Sequence, residues 1–381
     1  MSARNNMHAA ATSPVLMTAD AVGGVWTYAF ELARALGDFG IDVALATMGR
    51  PLNAHERSAA AAISNIELFE SAYRLEWMDD VWDDVDAAAE WLLGIADNVA
   101  PAIIHLNGYC HAALLWPAPA LVVGHSCVFS WFEAVRRAPP PPIWGEYRRR
   151  VARGLAAADS VTAPSGAMLA ALKKHYGGFA AAPPIYNGRA AAAFPPGDKE
   201  AFVIAAGRLW DEAKNAAVLA RVAPEISWPL YAAGDTAGPY GTVALDNLNL
   251  LGGLDQTALA GWLARASIFV SPARYEPFGY APLEAALAGC ALVLGDIPSL
   301  REIWSDAALF VPPDDAVALA GALNQLIGDA AERGALAARA RARAATYSPQ
   351  RMAEQYVSLY ERMSAARGGT IEKCPAMEPM R

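Results

Sequence analysis

Along nearly the whole chain, short apolar runs alternate with helical patterns, and no other feature restricts the fold so tightly. Parallel neighbours in a sheet need a crossover between them, usually a helix, so this alternation is the signature of βαβ units. In the first half the pattern predicts strands at Val15 to Thr18, Val43 to Thr47, Ile103 to Leu106, Leu121 to Gly124, Val161 to Ala163 and Pro184 to Tyr186. In the second it predicts Phe202 to Ala206, Pro229 to Ala233, Leu248 to Leu251, Ile268 to Ser271, Ala291 to Gly295 and Leu309 to Val311. The fold class is α/β, and 381 residues are too many for one ordinary core, so two such domains are expected.

The break between them falls in Ala190 to Lys199, where Pro195-Pro196-Gly197-Asp198 interrupts both strand and helix patterns. The expected domains are 1–190 and 191–365. From Asp314 to about Arg362 the pattern is wholly helical, and Ser348-Pro349 marks the start of a last helix that would pack back across the boundary. Residues 366–381 lack periodicity and read as a disordered tail.

Composition removes several classes of function. Hydrophobic residues are 55% and charged ones 18%, which excludes disorder for the bulk of the chain. A net charge of −9 repels nucleic acid, which is not expected as a partner. The local run Arg148-Arg149-Arg150 with Arg153 would suit peripheral contact with anionic lipid, although such runs are more often a solvated helix face. Cys110, Cys127, Cys290 and Cys374 form no CxxC pair, so neither a zinc cage nor a disulfide framework is suggested, and a reducing, cytoplasmic setting fits best. The apolar stretch Ala112 to Phe129 approaches spanning length, but Pro117, Pro119 and Gly124-His125-Ser126 break it, and no transmembrane segment is expected.

The richest chemistry lies in Ser271-Pro272-Ala273-Arg274-Tyr275-Glu276-Pro277-Phe278-Gly279-Tyr280-Ala281-Pro282-Leu283-Glu284-Ala285, between a strand and a helix. The Pro-Phe-Gly turn should leave Glu276 in the loop and Glu284 in the first turn of a helix opened near Ala281-Pro282. The unpaired N–H groups of that helix start favour a phosphate. Upstream, a strand runs into Gly207-Arg208, with Lys214 six residues beyond the arginine, and two cations there could converge on a diphosphate. Gly23-Gly24 follows the first strand and lets backbone approach a ligand closely, but it is no GxGxxG dinucleotide fingerprint. His105 with Asn107, and His125 with Ser126, end two other strands and could share one crevice. The acids from Asp79 to Asp86 precede a helical pattern, where they complement its dipole and need no metal.

Each of these features has a plain reading when taken alone: a solvated charge, a structural histidine or a tight turn. Together, in this order, they resemble the family 4 retaining glycosyltransferases of GT-B architecture, whose two Rossmann-like domains face each other across a cleft. The E-x7-E pattern from Glu276 to Glu284, with Phe278-Gly279 inside, carries the resemblance, along with Ser165, Asn187-Gly188, Gly234-Asp235 and Glu302. The resemblance implies transfer of a sugar from a nucleotide-sugar donor to a carbohydrate, lipid-linked or small-molecule acceptor, with retention, no cofactor and no metal. It also implies roles: Glu276 by the donor sugar, Glu284 on the ribose, Arg208 and Lys214 on the diphosphate, and His125 with the Gly23-Gly24 loop lining the catalytic centre. Gly207, Phe278 and Gly279 would complete the donor site. Two positions depart from the family pattern, because Arg189 stands where an aspartate commonly follows Asn-Gly and Asn107 where a second histidine is common. An epimerase or phosphorylase on the same architecture, or a non-catalytic sugar-nucleotide sensor, stays open as an alternative.

Overall fold

A computed structural model describes residues 13–21, 23–238 and 241–368. Six strands form the first sheet: β1 (Val15–Asp20), β2 (Val43–Met48), β3 (Ile66–Glu70), β4 (Ile103–Leu106), β5 (Ala120–Val123) and β6 (Ser160–Thr162). All their pairings are parallel, and the spatial order is β3-β2-β1-β4-β5-β6. The second sheet holds β7 (Glu200–Ala206), β8 (Leu230–Ala233), β11 (Asn249–Gly252), β12 (Ala266–Ser271), β13 (Ala291–Gly295) and β14 (Leu309–Val311). Its order is β11-β8-β7-β12-β13-β14, again all parallel, while β9 (Ala237–Gly238) and β10 (Gly241–Thr242) form a small separate hairpin.

Counted within each sheet, both orders run 3-2-1-4-5-6, the doubly wound Rossmann arrangement. Two faces are buried in each. Val15, Met17 and Ala19 of β1 enter one apolar cluster and Leu16 enters the other, as the two-residue side-chain period requires. In β7, Val203 and Ala205 face one cluster while Phe202 and Ile204 face the other. The helix Gly24–Gly37 buries Tyr28, Ala29, Leu32, Ala33 and Leu36 at helical spacing against the first sheet.

The last helix, Pro349–Ala366, begins with Ser348 accepting from Arg351 N–H and Pro349 at its first position. It crosses back as expected: Met352, Ala353, Tyr356, Val357, Tyr360 and Met363 pack into the first sheet's cluster beside Tyr28 and Leu32. One strand expectation fails and one edge strand was not foreseen. Pro184 to Tyr186 forms no strand, because Pro183-Pro184 lack N–H groups for a ladder, and only an isolated bridge at Val161 and Ala181 remains beside β6. Conversely, β3 went unpredicted, since Ile66-Glu67-Leu68-Phe69-Glu70 is a half-exposed edge strand whose glutamates dilute the apolar run.

The stretch Ala112 to Phe129 divides into the end of a short helix, β5 and the start of another helix, and no described helix is long and apolar enough to cross a membrane. On the helix Gly145–Ala157, Arg149 and Arg150 pair with Glu146, and Arg150 also meets Asp86. Asp83 and Asp84 sit in the first turn of the helix Trp82–Val99. Of the expected tail, Ala366 closes the last helix and Arg367 pairs with Asp159, while residues 369–381, Cys374 among them, lie outside those described.

Candidate active site

In a 3-2-1-4-5-6 sheet the chain leaves strands 1 and 4 in opposite directions, which opens a crevice beyond their carboxyl ends. In the second sheet these are β7 and β12, and their exits carry Gly207-Arg208 and the loop to Gly279. Asp211 braces the first of these loops: one carboxylate oxygen accepts from Ala213 N–H at 3.0 Å and the other from Arg208 Nη2 at 3.0 Å. Asn215, at φ 56°, ends the turn and donates through Nδ2 to Pro313 O at 2.6 Å and Pro272 O at 3.2 Å. Lys214, held between them, forms an ion pair with Glu276 across the crevice. Gly279 then turns the chain into the helix Tyr280–Leu287 at φ 96°, a backbone region that L side chains rarely adopt.

In the first sheet the corresponding exits follow β1 and β4. Gly23, at φ 94°, opens the helix Gly24–Gly37, whose N-terminus has no side-chain cap. A Cβ on Gly23 would stand 3.0 Å from Arg208 Nη1, and one on Gly24 would stand 3.7 Å from the Tyr280 ring. Two glycines thus let the first half lie directly against the second half's cation and helix start. After β4, Asn107 donates from its backbone N–H to Thr18 Oγ1 at 2.9 Å, and its side chain meets His125 Nε2 at 2.9 Å. Burial holds the pKa of His125 down to about 3. His105 is fully buried between Tyr28 OH at 3.1 Å and Tyr360 OH at 2.6 Å, and burial followed by the nearby His125 pushes its pKa to about 3 as well.

Contacts between the halves converge on the loop that carries Glu276. The Tyr275 hydroxyl takes the Cys127 N–H at 3.2 Å and meets Ser130 Oγ at 2.8 Å, while Ser165 Oγ donates to Pro277 O at 2.6 Å. Both chain neighbours of Glu276 are therefore held by the first half. Glu302 adds a further tie, accepting from Gly166 N–H at 2.7 Å and Ala167 N–H at 2.8 Å at the start of the helix Gly166–Tyr176, and from Tyr186 OH at 2.9 Å.

Glu284 sits in the second turn of its helix rather than the first, because the helix opens at Tyr280 with Gly279 as its cap. Its side chain is buried and receives Arg189 Nε at 2.8 Å. The same guanidinium donates from Nη1 to Glu31 at 2.5 Å and from Nη2 to Gln256 at 2.7 Å. Burial, opposed in part by Arg189, raises the Glu284 pKa. The Phe278 ring is buried beside Tyr280 and Tyr347. Sequence reasoning missed Glu31 and Gln256, and treated Arg189 only as a departure from pattern. A lone glutamate on the apolar face of the helix Gly24–Gly37 is the signal that a buried cation waits opposite.

Two parallel sheets of one strand order, meeting at their switch points, define the GT-B class of two-domain α/β proteins. Residues 22–189 match the family described as Glycosyltransferase Family 4, and residues 185–329 match Glycosyl transferases group 1. The chain belongs to these family 4, group 1 glycosyltransferases. It is 43% identical over 95 residues to a glycogen synthase of Mycobacterium tuberculosis, covering 24% of this chain and 23% of that protein. It is 33% identical over 137 residues to a phosphatidyl-myo-inositol mannosyltransferase of Mycolicibacterium smegmatis, covering 35% and 33%. The chain thus matches about a quarter to a third of these relatives' length. Among solved structures it resembles sucrose-phosphate synthase from Thermosynechococcus elongatus, with TM-score 0.75, 18% identity, and 93% of this chain and 100% of that one covered. It also resembles Anabaena HepE in complex with UDP and glucose, with TM-score 0.68, 16% identity and 91% and 99% covered.

Proposed function

We propose that the protein is a retaining glycosyltransferase that moves a sugar from a nucleoside-diphosphate sugar to a hydroxyl of a carbohydrate, lipid-linked or small-molecule acceptor. The observation that carries this reading is the Lys214–Glu276 ion pair, beside Arg208, where the two switch points meet. An incoming diphosphate would take Lys214 from its carboxylate, and Glu276 would then be free to accept hydroxyls of the attached sugar. Arg208 and Lys214 are fixed cations where charge builds on the leaving oxygens, and preorganised charge of this kind is commonly the largest catalytic term. The uncapped N-termini of the helices Gly24–Gly37 and Tyr280–Leu287 add N–H groups at the same place.

In the step itself the bond from the anomeric carbon to the phosphate oxygen breaks, and a bond from that carbon to the acceptor oxygen forms on the same face. The acceptor's proton passes to the departing phosphate. No enzyme nucleophile is needed, and the protein supplies position and charge. This reading assigns no cofactor and no metal. A cavity of about 230 Å³ at the ends of β8 and β11, lined by Gly234, Asp235, Thr236, Ala237, Leu250 and Gly252, is the proposed seat of the base. The UDP and glucose of HepE make UDP-glucose the first donor to try. Cys110, Cys127 and Cys290, all free and buried, support a reducing cytoplasmic setting.

The test is nucleoside diphosphate release from a panel of nucleotide sugars and acceptors. Release that requires an acceptor is the expected result. Lys214→Ala and Glu276→Gln should each cut turnover strongly while leaving the unfolding midpoint near that of the parent, and full turnover in both would defeat the assignment.

A further inference from the structure

Asn107 occupies one of the two departures from the family pattern, and its hydrogen bonds decide what His125 can do. Its side-chain nitrogen lies 2.6 Å from Thr18 O. A backbone carbonyl can only accept, so the carboxamide atom facing Thr18 must be the NH2 group, and the amide has one orientation. The backbone N–H of Asn107, bonded to Thr18 Oγ1 at 2.9 Å, pins the same residue a second time. The carboxamide oxygen therefore faces His125 Nε2 at 2.9 Å. An amide oxygen can only accept in its turn, so Nε2 must carry the hydrogen.

A neutral imidazole has one ring proton, and here it is committed to Asn107. Burial keeps the ring neutral, with its pKa at about 3. The Tyr28 ring packs edge-on against it, with centroids 4.4 Å apart. Among the described residues no hydrogen bond is made to the other nitrogen, Nδ1, which keeps its lone pair on a residue that is only partly buried.

We propose that Asn107 is a positioning residue that locks His125 in the Nε2–H tautomer, so that Nδ1 accepts a hydrogen bond from a hydroxyl of the sugar in the crevice. The hydroxyl rests on the transferase reading, whereas the tautomer does not. His125 is then neither an acid nor a cation for the leaving phosphate. It reads a neutral hydroxyl, and an anionic oxygen placed there would face its lone pair unfavourably.

The tautomer is measurable in the free full-length protein by nitrogen NMR of the histidine rings, with the His125 signals identified by their loss in His125→Gln. A neutral Nε2–H ring at pH 7 is the expected result, and an Nδ1–H ring or an imidazolium overturns the proposal. In Asn107→Ala the His125 signals should move toward tautomer averaging while the unfolding midpoint stays near that of the parent, showing the fold intact. An unchanged His125 signature in that variant would mean that Asn107 does not set the tautomer.

The kinetic arm separates an acceptor from a proton carrier. Glutamine can donate its NH2 to Asn107 and still present an oxygen, so His125→Gln should keep kcat/KM within about tenfold of the parent, the scale of one imperfect hydrogen bond. His125→Ala should fall well below it. Equal losses in both overturn the acceptor role. A parent protein that shows the tautomer yet transfers no sugar would instead sink the transferase reading.

Discussion

The ends of β1, β4 and β5 bring together an uncharged hydrogen-bonded group, Thr18, Asn107 and His125, beside two glycines, although β1 itself closes on Asp20, whereas the exits of β7 and β12 carry Arg208, Asp211, Lys214 and Glu276. Strand order is the same in both sheets, so architecture fixes where a ligand can sit and the side chains fix what is held there. The second half presents ion pairs, which under the proposed function a diphosphate would replace. The first half presents a neutral network in which desolvation lowers the pKa of both histidines to about 3, and the proposed function would use that network for hydroxyls. The reaction proposed for the crevice needs both, since charge develops on the leaving side and a neutral hydroxyl arrives on the other.

One cluster crosses that divide. Arg189 joins Glu31 of the first half to Glu284 of the second, and all three side chains are buried. Removing the cation strands two carboxylates away from water, so Arg189→Met should cost about 3–5 kcal/mol of stability, the largest effect expected here. Denaturant unfolding checks it, and adding Glu31→Gln should recover part of the loss. A loss below about 1 kcal/mol in the single variant would show that the halves are not coupled through this cluster.

Next in size is Lys214→Ala. If the charged exit stabilises a leaving diphosphate, kcat should fall roughly 100- to 1,000-fold, comparable with removal of one preorganised oxyanion donor. A rise in donor KM at unchanged kcat would instead mean that Lys214 only binds the ground state.

The neutral exit makes a prediction of opposite character. His105 and His125 have folded pKa values near 3 against about 6.5 when free, so between those values the unfolded chain binds more protons. Their contribution is complete above about pH 6.5 and is lost as the pH falls toward 3. The slope is about 1.4 kcal/mol per pH unit for each histidine, or about 2 kcal/mol each between pH 7 and pH 5. Glu284, whose pKa is raised, works in the opposite sense and offsets part of the loss. Comparing unfolding at the two pH values should show His125→Gln losing less than the parent, and equal losses would mean that His125 takes up its proton as readily in the folded protein as in the unfolded chain.

The two sheets and the helix that returns to the first half are legible in the sequence because buried parallel strands are nearly continuous apolar runs and helices bury one stripe. β3 is not legible, because an edge strand with Glu67 and Glu70 looks like a surface segment. Gly23, Arg208, Lys214 and Glu276 can be placed at strand exits from local pattern alone. Their pairing cannot, since Lys214 and Glu276 lie 62 positions apart and meet only through the parallel pairing of β7 with β12. Arg189 is hidden for the same reason. A buried charge is explained only by partners from three other segments, and no local window contains them.

The smallest effect concerns Ser165, which ties the neutral side to the charged one. Its hydroxyl accepts from Met168 N–H at 3.2 Å as a helix cap and donates to Pro277 O at 2.6 Å, next to Glu276. Loss of the cap costs about 1 kcal/mol in stability, and loss of the second bond loosens one of the two holds on the Glu276 loop. Ser165→Ala should therefore lower stability by about that amount and kcat by several-fold, since Tyr275 still holds the other side through Ser130. Ser165→Thr keeps the hydroxyl and should restore both. If stability falls in Ser165→Ala while kcat does not, the first half merely rests against the loop, and the charged exit positions Glu276 without help from the neutral one.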